Sequence, residues 1–140
     1  MSDQQHNLEE GSFLTLDFKK LKKMAQCGQD LIPAVAQDIN SKRVLMVGYV
    51  NREALEYALE HRLATFWSSS RNELWVKGDT SGEYLELMET RVNCEQNSIL
   101  YIVHISSAGA CHTKKADGKP RESCYYRRLT NGHALETIDL

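Results

Sequence analysis

The chain has 140 residues, 41% apolar and 26% charged, which suits one globular domain able to bury a core without disulfide staples. A formal net charge of −2 excludes a general nucleic-acid binder and leaves room for a small anionic substrate held by a few local cations. No apolar run approaches the ~20 residues that span a bilayer, and the polar N-terminus lacks the apolar centre of a signal peptide. A cytoplasmic protein without membrane or nucleic-acid partners is expected, and its four cysteines are expected to be thiols or metal ligands.

Residues 1–12 carry no periodicity and are expected to be disordered. One domain over 13–129 follows, with a weakly patterned tail over 130–140. Asp17 can cap a short helix with Phe18, Leu21 and Ala25 on one side and lysines on the other. Gly28 ends that helix, and Cys27 reads as a small, partly buried thiol in its last turn. Residues 31–37 and 44–49 are β-favouring runs around the turn-rich Asp38-Ile39-Asn40-Ser41-Lys42, which predicts a hairpin. Asn51 is an N-cap for an amphipathic helix with Glu53 in its first turn and His61 and Arg62 in its last. Its apolar stripe is Ala54, Leu55, Ala58 and Leu59. Strands are predicted over 64–67, 74–77, 84–92, 98–105 and 124–129, and 98–105 is apolar on both faces, as a strand buried on both sides would be. The expected fold is α+β: a compact, sheet-dominated domain with one or two packed helices.

The chemistry concentrates between residues 93 and 127, where Cys94, Cys111 and Cys124 end or begin strands that can converge at one sheet edge. The spacing is not that of a zinc finger: no C-x-x-C occurs, and sixteen residues separate Cys94 from Cys111. Three thiolates leave one position of a tetrahedral zinc site open, as a catalytic zinc requires, and a water there ionises near neutral pH. His112 or His104 closing the site would make it structural, and three ordinary core cysteines would bind no metal; on the residues alone all three readings stand. His112, beside Cys111, has the chemistry of a general base or proton shuttle, or is a surface histidine in a loop.

Two further loops each combine a tryptophan, hydroxyls and a cation: Trp67-Ser68-Ser69-Ser70-Arg71, and Trp75 to Gly82 with Lys77, Thr80 and Ser81. Such groups can hold a phosphate and stack a base, though two β-turns with core tryptophans would read the same way. No Walker P-loop or G-x-G-x-x-G occurs.

Five motifs fall in one order: W-S-S-S-R, E-L-W-V-K-G-D-T-S-G, a cysteine after the next strand, A-C-H-T and S-C-Y-Y-R. With L-I-P-A-V-A-Q-D and V-L-M-V-G-Y-V-N before them, they closely resemble the phosphoribosyl-AMP cyclohydrolase family of histidine biosynthesis, from about residue 31 to residue 129. The resemblance implies a zinc-dependent, intertwined homodimer with active sites shared between subunits. It implies zinc on Cys94, Cys111 and Cys124, with Cys94 coming from the partner subunit. It implies attack of an activated water on C6 of the N1-ribosylated adenine of phosphoribosyl-AMP and hydrolytic opening of the N1–C6 bond. His112 would move protons, and Trp67, Ser68, Arg71, Trp75, Lys77, Thr80 and Ser81 would lie in or near the pocket for this phosphorylated nucleotide.

The chain departs from the family pattern twice. The family's D-C-D-x-D, whose three aspartates bind magnesium, reads Asn93-Cys94-Glu95-Gln96-Asn97 here, so Glu95 is the one charged ligand left for magnesium. The segment between Cys111 and Cys124 is longer than the family's and adds Lys114, Lys115, Lys119 and Arg121, either a substitute for the magnesium charge near a phosphate or a solvated basic loop. Two alternatives follow: a sibling zinc hydrolase of another N-heterocyclic nucleotide-like substrate, and a non-catalytic zinc-bound module. A zinc deaminase is less well supported, since H-x-E and P-C-x-x-C are absent.

Overall fold

Four strands form the main sheet of the computed structural model, which describes residues 2–138; residue 1 and residues 139–140 of the expected end segments lie outside the described residues. Strands β1 (Ile32–Asp38) and β2 (Val44–Val50) pair antiparallel as the predicted hairpin. The sheet continues through β6 (Ile99–Ile105), parallel to β1, to the edge strand β5 (Leu85–Val92), giving the order β2-β1-β6-β5. The apolar run of β6 thus occupies an interior position, where Tyr101, Ile102 and Val103 are buried.

Helix α3 (Arg52–His61) begins where Asn51 Oδ1 accepts from the Ala54 amide at 2.9 Å, the expected N-cap. It ends at Arg62, in the left-handed region at φ 58°. Ala54 and Ala58 pack with Phe66 of the hairpin β3 (Thr65–Ser68)–β4 (Glu73–Val76) into the core formed with Leu45, Leu85, Leu87 and Tyr101. Gly48 is required in β2, because a Cβ there would stand 2.3 Å from the Phe66 ring.

Three α-helices are present among the described residues, rather than one or two. The additional one is α1 (Asp3–Glu10), in the segment expected to be disordered. Ser2 caps it by accepting from the Gln5 amide at 3.1 Å. It has no apolar stripe to betray it; polar contacts from more than 100 residues away hold it in place, with Arg127 donating to the Leu8 and Gly11 carbonyls. Helix α2 (Lys20–Met24) is shorter than expected and runs into a 3-10 turn, Ala25–Cys27, ended by Gly28 at φ 76°. Asp17 accepts from the Lys19 amide and from Lys23 Nζ, but Phe18 and Leu21 remain exposed and Met24 is the buried residue.

The last predicted strand begins later, as β7 (Arg127–Asn131), and pairs with β8 (Ala134–Thr137) in the weakly patterned tail. The N-terminal segment joins this hairpin through a Phe13–Ala134 bridge and the Leu14 amide on the His133 carbonyl. No helix among the described residues is long and apolar enough to cross a membrane.

Candidate active site

Backbone pairing brings two of the cysteines together. The Ala110 and Cys111 amides donate to the Glu122 and Arg121 carbonyls at 3.0 Å each, and the Arg121 amide returns to Thr113 O at 3.1 Å. Gly109 permits this approach, since a Cβ there would lie 2.4 Å from Arg121 O. The Cys124 amide is tied to Leu45 O at 2.8 Å, which anchors the second cysteine to β2.

Cys111 is buried, with Sγ 3.0 Å from Thr113 Oγ1, and its thiol is close enough to that of Cys124 for the two to influence each other's ionisation. The neighbouring Cys124 thiol pulls the Cys111 pKa down to about 5, against the opposing effect of burial and with help from Thr113, while that of Cys124, an exposed residue, is pushed up chiefly by Cys111. Lys77 completes the cluster, 6% exposed and donating to the Glu83 carbonyl at 3.3 Å. Burial lowers its pKa, and the charges of Cys124, Glu83 and Cys111 oppose that shift. A buried cation beside the acidic Cys111 sulfur is a setting that favours its thiolate, the form in which cysteine ligates a metal.

Cys94 stands elsewhere. It is exposed in the turn between β5 and β6, and among the described residues no three His, Cys, Asp or Glu side chains gather as a metal-binding group. The turn spends its amides on itself. Asn93 Oδ1 accepts from the Asn97 and Ser98 amides at 2.9 Å each, Asn93 Nδ2 donates to Asn97 Oδ1 at 2.7 Å, and Asn97 Nδ2 reaches Glu95 Oε2 at 3.3 Å. With one carboxylate and engaged amide oxygens, these residues do not fit a hard, octahedral cation.

The tryptophan loops divide. Trp67, Ser68, Arg71 and Trp75 line one surface pocket of about 490 Å³ with Ser69 and Ser70. Trp67 Nε1 is held by Asn72 Oδ1 at 3.0 Å, and Trp75 packs against Phe66 with ring centroids 5.6 Å apart. Arg71 is in reach of Glu73 at 3.4 Å. Lys77 joins the thiols instead, and Thr80 and Ser81 are exposed in the turn between β4 and β5. The same pocket is lined by Lys20 of α2 and Tyr49 of β2, which sequence reading missed; Lys20 is one of the four lysines in residues 19–23, with no local signal to distinguish it. Thr113 was legible as the last residue of A-C-H-T.

His112 is exposed on the loop after Cys111, with Nε2 2.7 Å from Glu9 Oε2 on α1. Nothing in the local sequence joins residues so far apart.

A family model described as phosphoribosyl-AMP cyclohydrolase matches residues 46–126, more than half of the chain and a span holding all three cysteines, His112 and both tryptophan loops. The chain belongs to the phosphoribosyl-AMP cyclohydrolase family. It is 48% identical over 102 residues to a phosphoribosyl-AMP cyclohydrolase of Hyphomonas neptunium, covering 73% of this chain and 72% of the relative. A phosphoribosyl-AMP cyclohydrolase of Cellvibrio japonicus is 44% identical, with 73% and 76% covered. One of Pseudomonas aeruginosa is 43% identical over 109 residues, with 78% and 76% covered. The chain is therefore an enzyme of the phosphoribosyl-AMP cyclohydrolase family, and α1 lies outside the residues that the family model matches.

Proposed function

We propose that this chain is a cytoplasmic phosphoribosyl-AMP cyclohydrolase of histidine biosynthesis that opens the N1–C6 bond of the adenine ring, working as a zinc-dependent homodimer. The observation that carries the reading is the nearness of the Cys111 and Cys124 thiols to each other and to buried Lys77, in a family member whose third expected ligand, Cys94, lies in the turn between β5 and β6 and joins no three-ligand group among the described residues. Cys111 and Cys124 of one subunit, with Cys94 of the partner subunit, would hold zinc. When bound, zinc supplies Lewis-acid activation of a water molecule.

The chain's own groups do the rest. Lys77 offsets the charge that the thiolates gather. Trp67 and Trp75 offer faces on which a base can stack, while Arg71 and Ser68 can hold a phosphate. His112, next to a ligand, can take or deliver a proton at its imidazole. N1 substitution leaves positive charge on the adenine ring, so C6 is electrophilic before any protein group acts. An apolar strip across the sheet supports a dimer: exposed Val47 of β2 faces half-buried Val35 of β1, which faces half-buried Leu100 of β6. Ala34, Ala36 and Tyr101, at alternating positions, are buried in the core. The single carboxylate of the residues 93–97 turn, Glu95, and its engaged amide oxygens support a reaction that proceeds without magnesium.

The test is ring opening of phosphoribosyl-AMP by the zinc-loaded protein, followed by ultraviolet absorbance. Turnover is expected; a zinc-bound dimer inert toward it would overturn the reading. The amide-rich turn favours one second reading, a sibling hydrolase of another N-heterocyclic nucleotide, and turnover of such a substrate in place of phosphoribosyl-AMP would establish it.

A further inference from the structure

Helix α1 is fixed to the segment that carries Cys124. Glu10 Oε1 accepts from Arg121 Nη1 at 2.8 Å, Arg121 stacks over the Tyr126 ring at 4.1 Å, and the Tyr126 hydroxyl donates to the Glu9 carbonyl. Arg127 holds the Leu8 and Gly11 carbonyls at 2.9 Å each. The anchors therefore stand on both sides of Cys124, whose partner Cys111 immediately precedes His112. A carboxylate carried on this helix keeps its place relative to the imidazole.

We propose that Glu9 is a positioning residue for His112, supplied to the active site by the N-terminal helix. The inference rests on the reading above that His112 moves protons in the reaction. Glu9 Oε2 lies 2.7 Å from His112 Nε2, and the Glu9 side chain is only 19% exposed although the imidazole is 66% exposed. An ionised carboxylate accepts and cannot donate, so it selects the tautomer with hydrogen on Nε2. Nδ1 is then the atom with a free lone pair, able to accept a proton from a reacting water and return it to the leaving nitrogen. A freely rotating surface imidazole would divide its time between tautomers and orientations, and Glu9 removes that division. Glu10 is the natural comparison, because it anchors the same helix through Arg121 without reaching the imidazole.

The experiment compares Glu9→Ala, Glu10→Ala, Glu9→Gln and His112→Ala in the full-length, zinc-loaded protein. Steady-state ring opening of phosphoribosyl-AMP is measured alongside zinc content and two-bond proton–nitrogen spectra of His112. Glu9→Ala is expected to lower kcat about 10-fold with KM changed less than about 2-fold, and the wild-type preference for hydrogen on Nε2 is expected to disappear. Glu9→Gln, which keeps an acceptor oxygen, recovers part of the loss, and Glu9→Ala adds nothing further to His112→Ala. Equal losses in Glu9→Ala and Glu10→Ala with the tautomer unchanged would overturn the inference, leaving helix docking as the cause. An unaffected Glu9→Ala beside a His112→Ala that loses about 100-fold would also overturn it, while leaving the role of His112 standing. Full activity in His112→Ala would remove that role and the inference together.

Discussion

Subunit sharing of the metal site can be tested by complementation. Cys94→Ser and Cys111→Ser each remove one expected zinc ligand, so each homodimer should lose both sites. Equal mixing with free exchange makes about half of the dimers mixed. In a mixed dimer, the site built on the Cys94→Ser subunit keeps its own Cys111 and Cys124 and takes the intact Cys94 of the Cys111→Ser subunit. The other site lacks both ligands. One good site in two, in half of the dimers, gives about one quarter of wild-type activity and zinc content. The expectation depends on a structural observation: within one chain Cys111 and Cys124 are neighbours, while Cys94 lies in the turn between β5 and β6 and joins no three-ligand group among the described residues. The assay is ring opening and bound zinc after mild denaturation and refolding of the mixture, with exchange verified by mass spectrometry of differently tagged chains. Exchanged dimers that recover neither zinc nor activity would refute sharing, as would a Cys94→Ser homodimer that keeps full zinc.

Three other outcomes are expected. Chelating magnesium from the zinc-loaded enzyme should leave turnover unchanged, because the Asn93 and Asn97 amide oxygens are engaged within their own turn; a large loss restored by magnesium would contradict this. Gly48→Ala should cost about 1–3 kcal/mol in urea unfolding, since its methyl would meet the Phe66 ring at 2.3 Å and force a core shift beside the tryptophan pocket. In reduced, zinc-free protein, Cys111 lies near 5 when folded against an ordinary value of 9.0, so between those values the unfolded chain binds the extra proton and stability rises with pH. That contribution is lost as pH falls through about 5 and is absent in Cys111→Ser; equal pH slopes for the two proteins in urea titrations would refute it.

Much of the fold was legible because its signals are local. Asn51 before an alternation of small apolar residues gave helix α3 with its cap, and the β-favouring runs around residues 38–42 gave the β1–β2 hairpin. The apolar character of 98–105 on both faces matched its interior place in the sheet. Helix α1 was not legible, because it buries no apolar stripe and is held by Arg121, Tyr126 and Arg127 from the far end of the chain. Hairpin β7–β8 was missed for a related reason: its second strand lies in a tail whose residues are mostly exposed.

The site divides along the same line. The order of its motifs alone determined the family and named Cys111, Cys124, His112 and Lys77, since residue type and spacing along the chain are properties of sequence. Tertiary structure decided which of these meet. It set Lys77 beside the thiols and outside the lining of the tryptophan pocket, brought Lys20 into that pocket, left Cys94 apart and delivered Glu9 to His112. Those meetings depend on strand pairings and side-chain contacts across as many as 103 residues, which no local pattern records.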